Sequence, residues 1–316
     1  MNRRNFLRTA GATGLVLLER PLEALSIFTK KDFEIVERTN TAELQSLEEV
    51  LQESKREKIR LDKTNPVEPI AQRRPELIYN LKVDKGKAKT IDSTMGSGIT
   101  ITKSGFFISV YHIFREHLEN QGESNYVGLI YDSLTGIALQ TRVLAYSKRF
   151  DLILGKINPT EGYPLKDTPL LPIRLLGDVY AMSYVNLEDI AGSMLTKILN
   201  YSEVSRVEDT KGKKRLNFTQ RNPVRGVLGK DLIAKVSIGQ VIPQHEGLEG
   251  WKSAFFAEVH EGNSGTPVFG LNNKLAGIIT GSAEYTNTSS GEAHNVGIYT
   301  NTSAIRAMIQ KYIASH

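Results

Sequence analysis

The chain has 316 residues, of which 40% are hydrophobic and 24% are charged, a composition typical of a globular protein with a sizeable core. Its formal net charge is +5, and the first 26 residues, which hold four arginines and two glutamates, contribute +2 of it. The remainder is too weakly basic to indicate nucleic-acid binding. The sequence contains no cysteine, which excludes a disulfide framework, a thiolate nucleophile and a cysteine-ligated metal.

The first 26 residues have the pattern of an export signal, with a basic start, an apolar stretch over 10–18 and small residues near Ala24. The apolar stretch is too short to span a bilayer as a helix. The letters RRNFLR at positions 3–8 resemble the bacterial twin-arginine signal, and a basic amphipathic helix is the alternative. We therefore expect export by the twin-arginine machinery, a periplasmic or secreted mature protein, and no stable membrane span.

Residues 27–75 combine one helix with a proline-rich segment. From Asn40 to about Arg60 apolar residues recur at helical spacing, with acidic residues early and basic residues late. Asn40 or Thr41 can cap this helix. Three prolines between positions 65 and 75 indicate a linker. We interpret the helix either as a packed surface helix or as a propeptide that restrains the protein.

From Leu77 onward the sequence changes to short segments with strand character. The first set is LIYNLKV, GITITK, FFISVY, YVGLIYD, LQTRVLAY and LILGKI. A proline-rich join at 158–172 separates it from KVSIGQVIP, AFFAEVHE, TPVFGL, KLAGIITGSA and NVGIYT. Short strands at such intervals indicate an antiparallel barrel or sandwich. We predict two barrels, at about 76–160 and 170–302, and a terminal helix at 303–314.

The letters GNSG at 262–265 place one serine between two glycines. Such a turn can present the hydroxyl of Ser264 and direct the backbone N–H groups of Gly262 and Ser264 towards one point. Two donors in that arrangement stabilise the oxyanion of acyl transfer. Taken alone, the motif is more typical of a plain hairpin turn.

A serine nucleophile needs a base and a carboxylate that orients the base. His112 directly follows the apolar segment FFISVY, whereas the other five histidines lie in polar, loop-like settings. Asp151 precedes the apolar segment LILGKI, where a carboxylate requires a positively chargeable partner. Asp132, in the turn YDSLTG, is the competing acid, and a structural role for His112 stays open. The five-residue spacing of His112 and His117 disfavours a metal site.

The chain order His112, Asp151, Ser264 resembles that of the trypsin/chymotrypsin-like serine peptidases. The segment GSGITITKSGFFISVYHIF resembles the histidine segment of bacterial HtrA-type and glutamyl-endopeptidase-type members. SKRFDLILGKI resembles their aspartate segment, GNSGTPVFGLNNKLAGIITG their serine segment, and NVGIYTNTSAIRAMIQKYIA their closing strand and terminal helix. The resemblance covers residues 76–316 and implies an all-β fold of two six-stranded antiparallel barrels.

The resemblance also implies roles for the matching residues. Ser264 is expected to be the nucleophile, His112 the general base and then acid, and Asp151 the orienting carboxylate. The N–H groups of Gly262 and Ser264 are expected to form the oxyanion hole. Neither a metal nor a cofactor is expected, and the substrate is expected to be a protein or peptide. The residues expected to line the substrate pocket are Glu258, Thr280, Ser282, Gly297 and Tyr299.

Several positions depart from the family pattern or stay open. Asn263 stands where zymogen-activated members have aspartate, so activation by insertion of a new N-terminus is not expected. The interval of 113 residues between Asp151 and Ser264 is long, which indicates an insertion within the basic stretch 208–226. We expect that stretch to be a solvated loop rather than a partner site. Glu258 lies either in the pocket floor or in solvent.

One further expectation from the resemblance is that the hydroxyl of Thr280 supports the aspartate. The sequence as a whole predicts an exported serine endopeptidase that acts through an acyl-enzyme. The alternative is a binding protein on the same scaffold, either catalytically silent or held inactive by residues 27–75.

Overall fold

The computed structural model describes residues 28–56, 74–84, 87–120, 125–165, 167–171, 178–184, 187–208, 214–224, 234–242, 250–257, 259–260, 262–270, 273–286, 291 and 293–316. The expected signal peptide and most of the expected linker lie outside these ranges, as does Glu258. Within them lie fifteen strands and four α-helices, and twelve of the strands form two antiparallel barrels.

The first barrel has six strands: β2 (Glu76–Asp84), β3 (Lys87–Thr100), β4 (Phe106–Ser109), β5 (Tyr126–Asp132), β6 (Ile137–Ser147) and β7 (Leu152–Ile157). Their order in space is β2-β3-β4-β7-β6-β5, and β5 pairs again with β2. The pairing of β6 with β7 closes the ring. Strands β4 and β7 are buried along their whole length, which explains why their sequences are almost continuously apolar. Helix α2 (Tyr111–Glu119) follows β4.

The second barrel consists of β8 (Asp178–Tyr184), β11 (Ala234–Ile242), β12 (Lys252–Phe256), β13 (Pro267–Gly270), β14 (Leu275–Thr286) and β15 (Ala293–Asn301). It is closed in the order β8-β11-β12-β15-β14-β13. When the strands of each barrel are numbered along the chain, both barrels have the order first, second, third, sixth, fifth, fourth. The prediction of two six-stranded antiparallel barrels is therefore confirmed.

The connection from β8 to β11 contains helix α3 (Leu187–Asn200) and a two-stranded hairpin, β9 (Ser202–Glu208) and β10 (Lys214–Gln220). Leu216 and Phe218 on β10 are buried together with Tyr79 of β2 and Leu129 of β5. The side chain of Gln140 on β6 bonds to Phe218 N and Leu216 O, both at 2.8 Å. The expectation of a solvated loop at 208–226 is thus wrong for 214–224, because this part covers an apolar outer face of the first barrel.

The N-terminal extension packs into the same core as the first barrel. It contains strand β1 (Glu34–Ile35), which pairs with β6, and helix α1 (Thr41–Arg56), whose Glu43 N–H donates to Asn40 Oδ1 at 2.9 Å. The apolar face of α1 is buried, with Leu47 fully inaccessible. The packed-helix interpretation agrees with this arrangement.

A buried ion pair also ties α1 to the first barrel. Lys156 on β7 is 2% exposed, and its Nζ lies 3.4 Å from Glu43 Oε1 and donates to the carbonyl of Ser104. Burial lowers the pKa of Lys156, while the neighbouring Glu43 carboxylate acts in the opposite direction. An uncompensated buried ammonium is costly, so the first barrel depends on the extension.

The chain ends in helix α4 (Thr302–Ile313), which the sequence predicts at 303–314. Asn301 caps it by accepting from Ser303 N at 3.1 Å. Although α4 follows the second barrel, its buried side chains, Ile305, Met308 and Ile309 among them, join the core of the first barrel. None of the described helices is long and apolar enough to cross a membrane.

Candidate active site

His112 lies in the first turn of α2, directly after the buried strand β4. Its ring faces Asp151, which occupies the turn between β6 and β7. The backbone N–H of His112 donates to Asp151 Oδ1 at 2.9 Å, and His112 Nδ1 lies 2.7 Å from Asp151 Oδ2. The two side chains are 34% and 23% exposed. The carboxylate therefore holds the proton on Nδ1 and leaves Nε2 free to accept one from a nucleophile.

The competing acid, Asp132, has a different role. Its Oδ2 accepts from the backbone N–H and the hydroxyl of Thr135, both at 2.8 Å, which closes the hairpin turn between β5 and β6. Asp132 is 4% exposed. The structure thus brings Asp151, and not Asp132, to His112.

Ser264 lies in a tight turn between two glycines with left-handed backbone, Gly262 at φ 85° and Gly265 at φ 86°. A side chain would be strained at either position. A Cβ atom on Gly265 would also overlap the carbonyl oxygen of Ser97 on β3. The backbone of the turn itself therefore requires both glycines.

The Ser264 turn is fixed against the first barrel across the cleft between the barrels. The backbone N–H of Ser97 donates to the carbonyl of Ser264 at 2.7 Å. A Cβ atom on Gly96 would lie 2.6 Å from that carbonyl and would overlap Ile113, the residue after His112. The turn that holds Ser264 therefore lies beside the helix that holds His112.

The hydroxyl of Ser264 forms no hydrogen bond with His112 or with any other described residue. Catalytic hydrogen bonds of this kind often become short only when a substrate is bound. The structure brings His112 and Asp151 into direct contact and places the Ser264 carbonyl beside Gly96, which also adjoins Ile113 of the His112 helix.

The backbone amides of the turn divide into two groups. The N–H of Asn263 donates to His260 O at 3.1 Å, and the N–H of Gly265 donates to Ile279 O at 2.7 Å. The N–H groups of Gly262 and Ser264 donate to no described residue. These are the two donors expected to bind an oxyanion, and no described part of the chain competes for them.

Asn263 fixes the conformation of this turn from inside the protein. It is fully buried, and its side-chain amide, in the orientation that satisfies both partners, donates to Tyr184 O at 3.1 Å and accepts from His260 N at 3.0 Å. Asn263 thus fixes this turn through neutral hydrogen bonds to Tyr184 and His260.

Four of the five residues expected to line the substrate pocket lie on β14 and β15, and the fifth, Glu258, lies outside the described residues. Ser282 pairs with Gly297 and is exposed, whereas Tyr299 is 1% exposed in the barrel core. A Cβ atom on Gly297 would lie 2.7 Å from Phe255 Cε1 and 2.8 Å from Val259 Cγ2. Phe255 and Val259 are thus apolar neighbours of Gly297. The alternating pattern of AFFAEVHE is consistent with both side chains lying on the same face.

Thr280 lies at the irregularity of β14 between Ile279 and Gly281 and is partly exposed. Among the described residues the Asp151 carboxylate bonds only to His112, so the expected support from Thr280 is not seen. A different hydroxyl reaches this turn, since Thr300 Oγ1 donates to Phe150 O at 2.8 Å. No motif in the sequence marked Thr300.

His117 differs from its expected polar loop. It lies on α2, where its ring stacks on Tyr126 with centroids 5.7 Å apart and its Nδ1 lies 3.3 Å from Asn80 Oδ1. Burial lowers the pKa of His117 to about 4. In the described ranges, no group of three or more His, Asp or Glu side chains is arranged to hold a metal ion.

Comparisons with known proteins give similarity at the level of structure and not of sequence. No family model matches the sequence, and no curated protein matches it. Among solved structures, the chain is similar to the crystal structure of the serine endoprotease from Yersinia pestis, with a TM-score of 0.45 and 14% sequence identity over 80% of this chain and 68% of the other. The shared strand order of the two barrels shows that the chain has a trypsin-like double-barrel fold.

Proposed function

We propose that the protein is a serine endopeptidase that hydrolyses peptide bonds through an acyl-enzyme. The observation that carries this proposal is the double hydrogen bond between His112 and Asp151, together with a Ser264 turn in which the N–H groups of Gly262 and Ser264 donate to no described residue. A histidine held by two bonds to one carboxylate, with its second nitrogen free, is arranged as a general base.

In the proposed reaction, His112 Nε2 takes the proton from Ser264 Oγ as that oxygen attacks the substrate carbonyl carbon. The resulting oxyanion binds to the N–H groups of Gly262 and Ser264, and the Asp151 carboxylate stabilises the imidazolium. The C–N bond breaks as His112 returns the proton to the leaving amine. A water molecule then releases the acid product by the same proton transfers in reverse.

A catalytically silent or autoinhibited binding protein was the alternative. Residues 28–56 pack against the first barrel and α4 and make no described contact with the Ser264 turn. The described part of the extension therefore supports the barrel and does not favour inhibition.

The test of the proposal is labelling of the folded protein with a fluorophosphonate, which reacts with activated serines. We expect one adduct, on Ser264, that is abolished in Ser264→Ala. Ser193→Ala is the matched control, because Ser193 is an exposed serine on α3 that has no assigned role in the site, and its loss should leave labelling unchanged. A folded protein that is never labelled and cleaves no peptide would contradict the proposal.

We also propose that the protein is exported by the twin-arginine machinery and acts in the periplasm or outside the cell. The support is the RRNFLR pattern at 3–8. Replacing Arg3 and Arg4 by lysine should retain the protein in the cytoplasm, which cell fractionation measures. Unchanged distribution would refute this route.

A further inference from the structure

The turn that carries Asp151 has an unusual backbone. Asp151 is at φ 51°, in the left-handed region, and it is one of two non-glycine residues with positive φ in the described ranges. Aspartate tolerates this region at a cost, and such conformations persist when the surroundings determine them. The residue before Asp151 shows what those surroundings are.

Phe150 is fully buried and fixed through its backbone as well as its side chain. Its N–H donates to Ser147 Oγ at 3.2 Å, and its carbonyl accepts from Thr300 Oγ1 at 2.8 Å. Its ring meets the ring of Trp251 edge to face, with centroids 4.9 Å apart. Thr300 and Trp251 belong to the second barrel, so one side of Phe150 is held from across the cleft.

The N-terminal extension holds the other side of Phe150. The rings of Phe28 and Phe33 lie with their centroids 5.1 and 5.2 Å from that of Phe150. Phe33 is 6% exposed. The guanidinium of Arg149 lies 3.1 Å from Asp32 Oδ1, which ties the same turn to the same segment by charge.

We propose that Phe33 is a positioning residue for Asp151 and acts through Phe150. Without the Phe33 ring, Phe150 has a void on one side, and the strained backbone of Asp151 can relax away from His112. The extension would then be required for activity, which is the reverse of an inhibitory propeptide. This inference rests on the proposed function for its kinetic test, although its structural test does not.

The kinetic test compares Phe33→Ala with Leu47→Ala. Leu47 is fully buried on α1 in the same extension, whereas the aromatic contacts of Phe150 in the extension are made by Phe28 and Phe33. Replacing Leu47 should therefore cost stability without disturbing the Asp151 turn. We expect Phe33→Ala to lower kcat about tenfold or more with little change in KM, and Leu47→Ala to leave the kcat of the folded protein unchanged. Phe33→Leu should restore most of the activity.

The pH profile separates positioning from general destabilisation. A displaced carboxylate stabilises the imidazolium of His112 less, so the acid limb of kcat/KM should move to lower pH in Phe33→Ala and stay in place in Leu47→Ala. If Phe33→Ala does not fold, Phe28→Ala provides the same comparison, because Phe28 is only partly buried.

A proton NMR spectrum tests the inference without any substrate. The Nδ1–H of His112 bonded to Asp151 should give a strongly downfield resonance, which we expect to be lost in Phe33→Ala and kept in Leu47→Ala. A folded Phe33→Ala protein that keeps this resonance would overturn the positioning role. A wild-type protein that shows the resonance and cleaves nothing would contradict the proposed function alone.

Discussion

At the scale of single residues, the hydrogen bond between Asp151 and His112 determines which tautomer of the imidazole is present. Asparagine at position 151 keeps the shape of the side chain, but its amide can donate to Nδ1 and so favours the proton on Nε2. We therefore expect Asp151→Asn to lower kcat by about 10⁴-fold, the loss seen for this change in the well-studied triad. Steady-state cleavage of a peptide ester or amide measures it.

Asp132→Asn is the control for that change. Its carboxylate closes a turn and bonds only to Thr135 among the described residues. This variant should keep wild-type kcat while losing some stability. Equal losses of kcat in both variants would mean that Asp151 has no special role.

A second residue-level expectation concerns His117, whose burial lowers its pKa from 6.5 to about 4. Between these two values the unfolded chain binds a proton that the folded chain does not, so the free energy of unfolding falls as the pH decreases through this window. The loss should reach about 2–3 kcal/mol near pH 4.5. Urea unfolding at several pH values measures it.

His117→Gln removes the titrating group and keeps a donor for Asn80. The dependence of stability on pH between 7 and 4.5 should be shallower in this variant than in the wild type. The idea fails if both proteins lose the same free energy over that range.

The residues of the site could be predicted from the sequence to unequal degrees. His112, Asp151 and Ser264 could be predicted because a local pattern marks each of them. His112 follows an apolar strand, Asp151 precedes one, and Ser264 lies between two glycines. Thr300 and Phe33 could not be predicted in this way, because they reach the Asp151 turn only through tertiary contacts. Thr300 lies 149 positions from Asp151 in the chain, and Phe33 belongs to the N-terminal extension.

At the scale of elements, one backbone hydrogen bond connects β3 to the Ser264 turn. Ser97 N–H donates to Ser264 O, and the Ser97 carbonyl accepts from Ser109 Oγ at 2.7 Å. Ser109 ends β4, three residues before His112. We call the residues Ser97, Ser109 and Ser264 the inter-barrel strap.

Ser109→Ala should weaken this strap, because it removes the donor to a buried carbonyl. We expect the free energy of unfolding to fall by about 1–3 kcal/mol, with slower fluorophosphonate labelling of Ser264. Ser97→Ala is the matched control, since the buried Ser97 hydroxyl has no partner among the described residues and only its backbone enters the strap. Similar losses in both variants would show that the hydroxyl of Ser109 is not what matters.

The packing of the insertion could not be predicted from its own segment of sequence alone. Leu216 and Phe218 alternate with exposed residues on β10, which is typical of a half-buried strand. The basic residues before them led instead to the prediction of a solvated loop. The complementary signal lay far away, in β2, where Leu77, Tyr79 and Leu81 are apolar on the face opposite to Ile78. Recognising that β2 needed a cover on both faces would have predicted a packed insertion.

At the scale of the whole molecule, one buried apolar cluster spans the two barrels. Tyr180, Phe269 and Ile278 of the second barrel belong to the same buried cluster as Ile78 and Ile108 of the first. Helix α4, which follows the second barrel, packs into that cluster as well. Such a cluster matters for the proposed site, because Ser264 and His112 belong to different barrels and a small rotation of one barrel would change the distance between them.

We therefore expect the barrels to unfold as one cooperative unit, and the single tryptophan reports on it. Trp251 directly precedes β12 of the second barrel, is 4% exposed and contacts Phe150 of the first. Its fluorescence and the far-ultraviolet circular dichroism should change at the same urea concentration. Ile78→Val, a change in the first barrel expected to cost about 0.5–1.5 kcal/mol, should move both midpoints together. A tryptophan transition that Ile78→Val leaves in place would show that the barrels unfold independently, and the site would then depend on their docking and not on one shared fold.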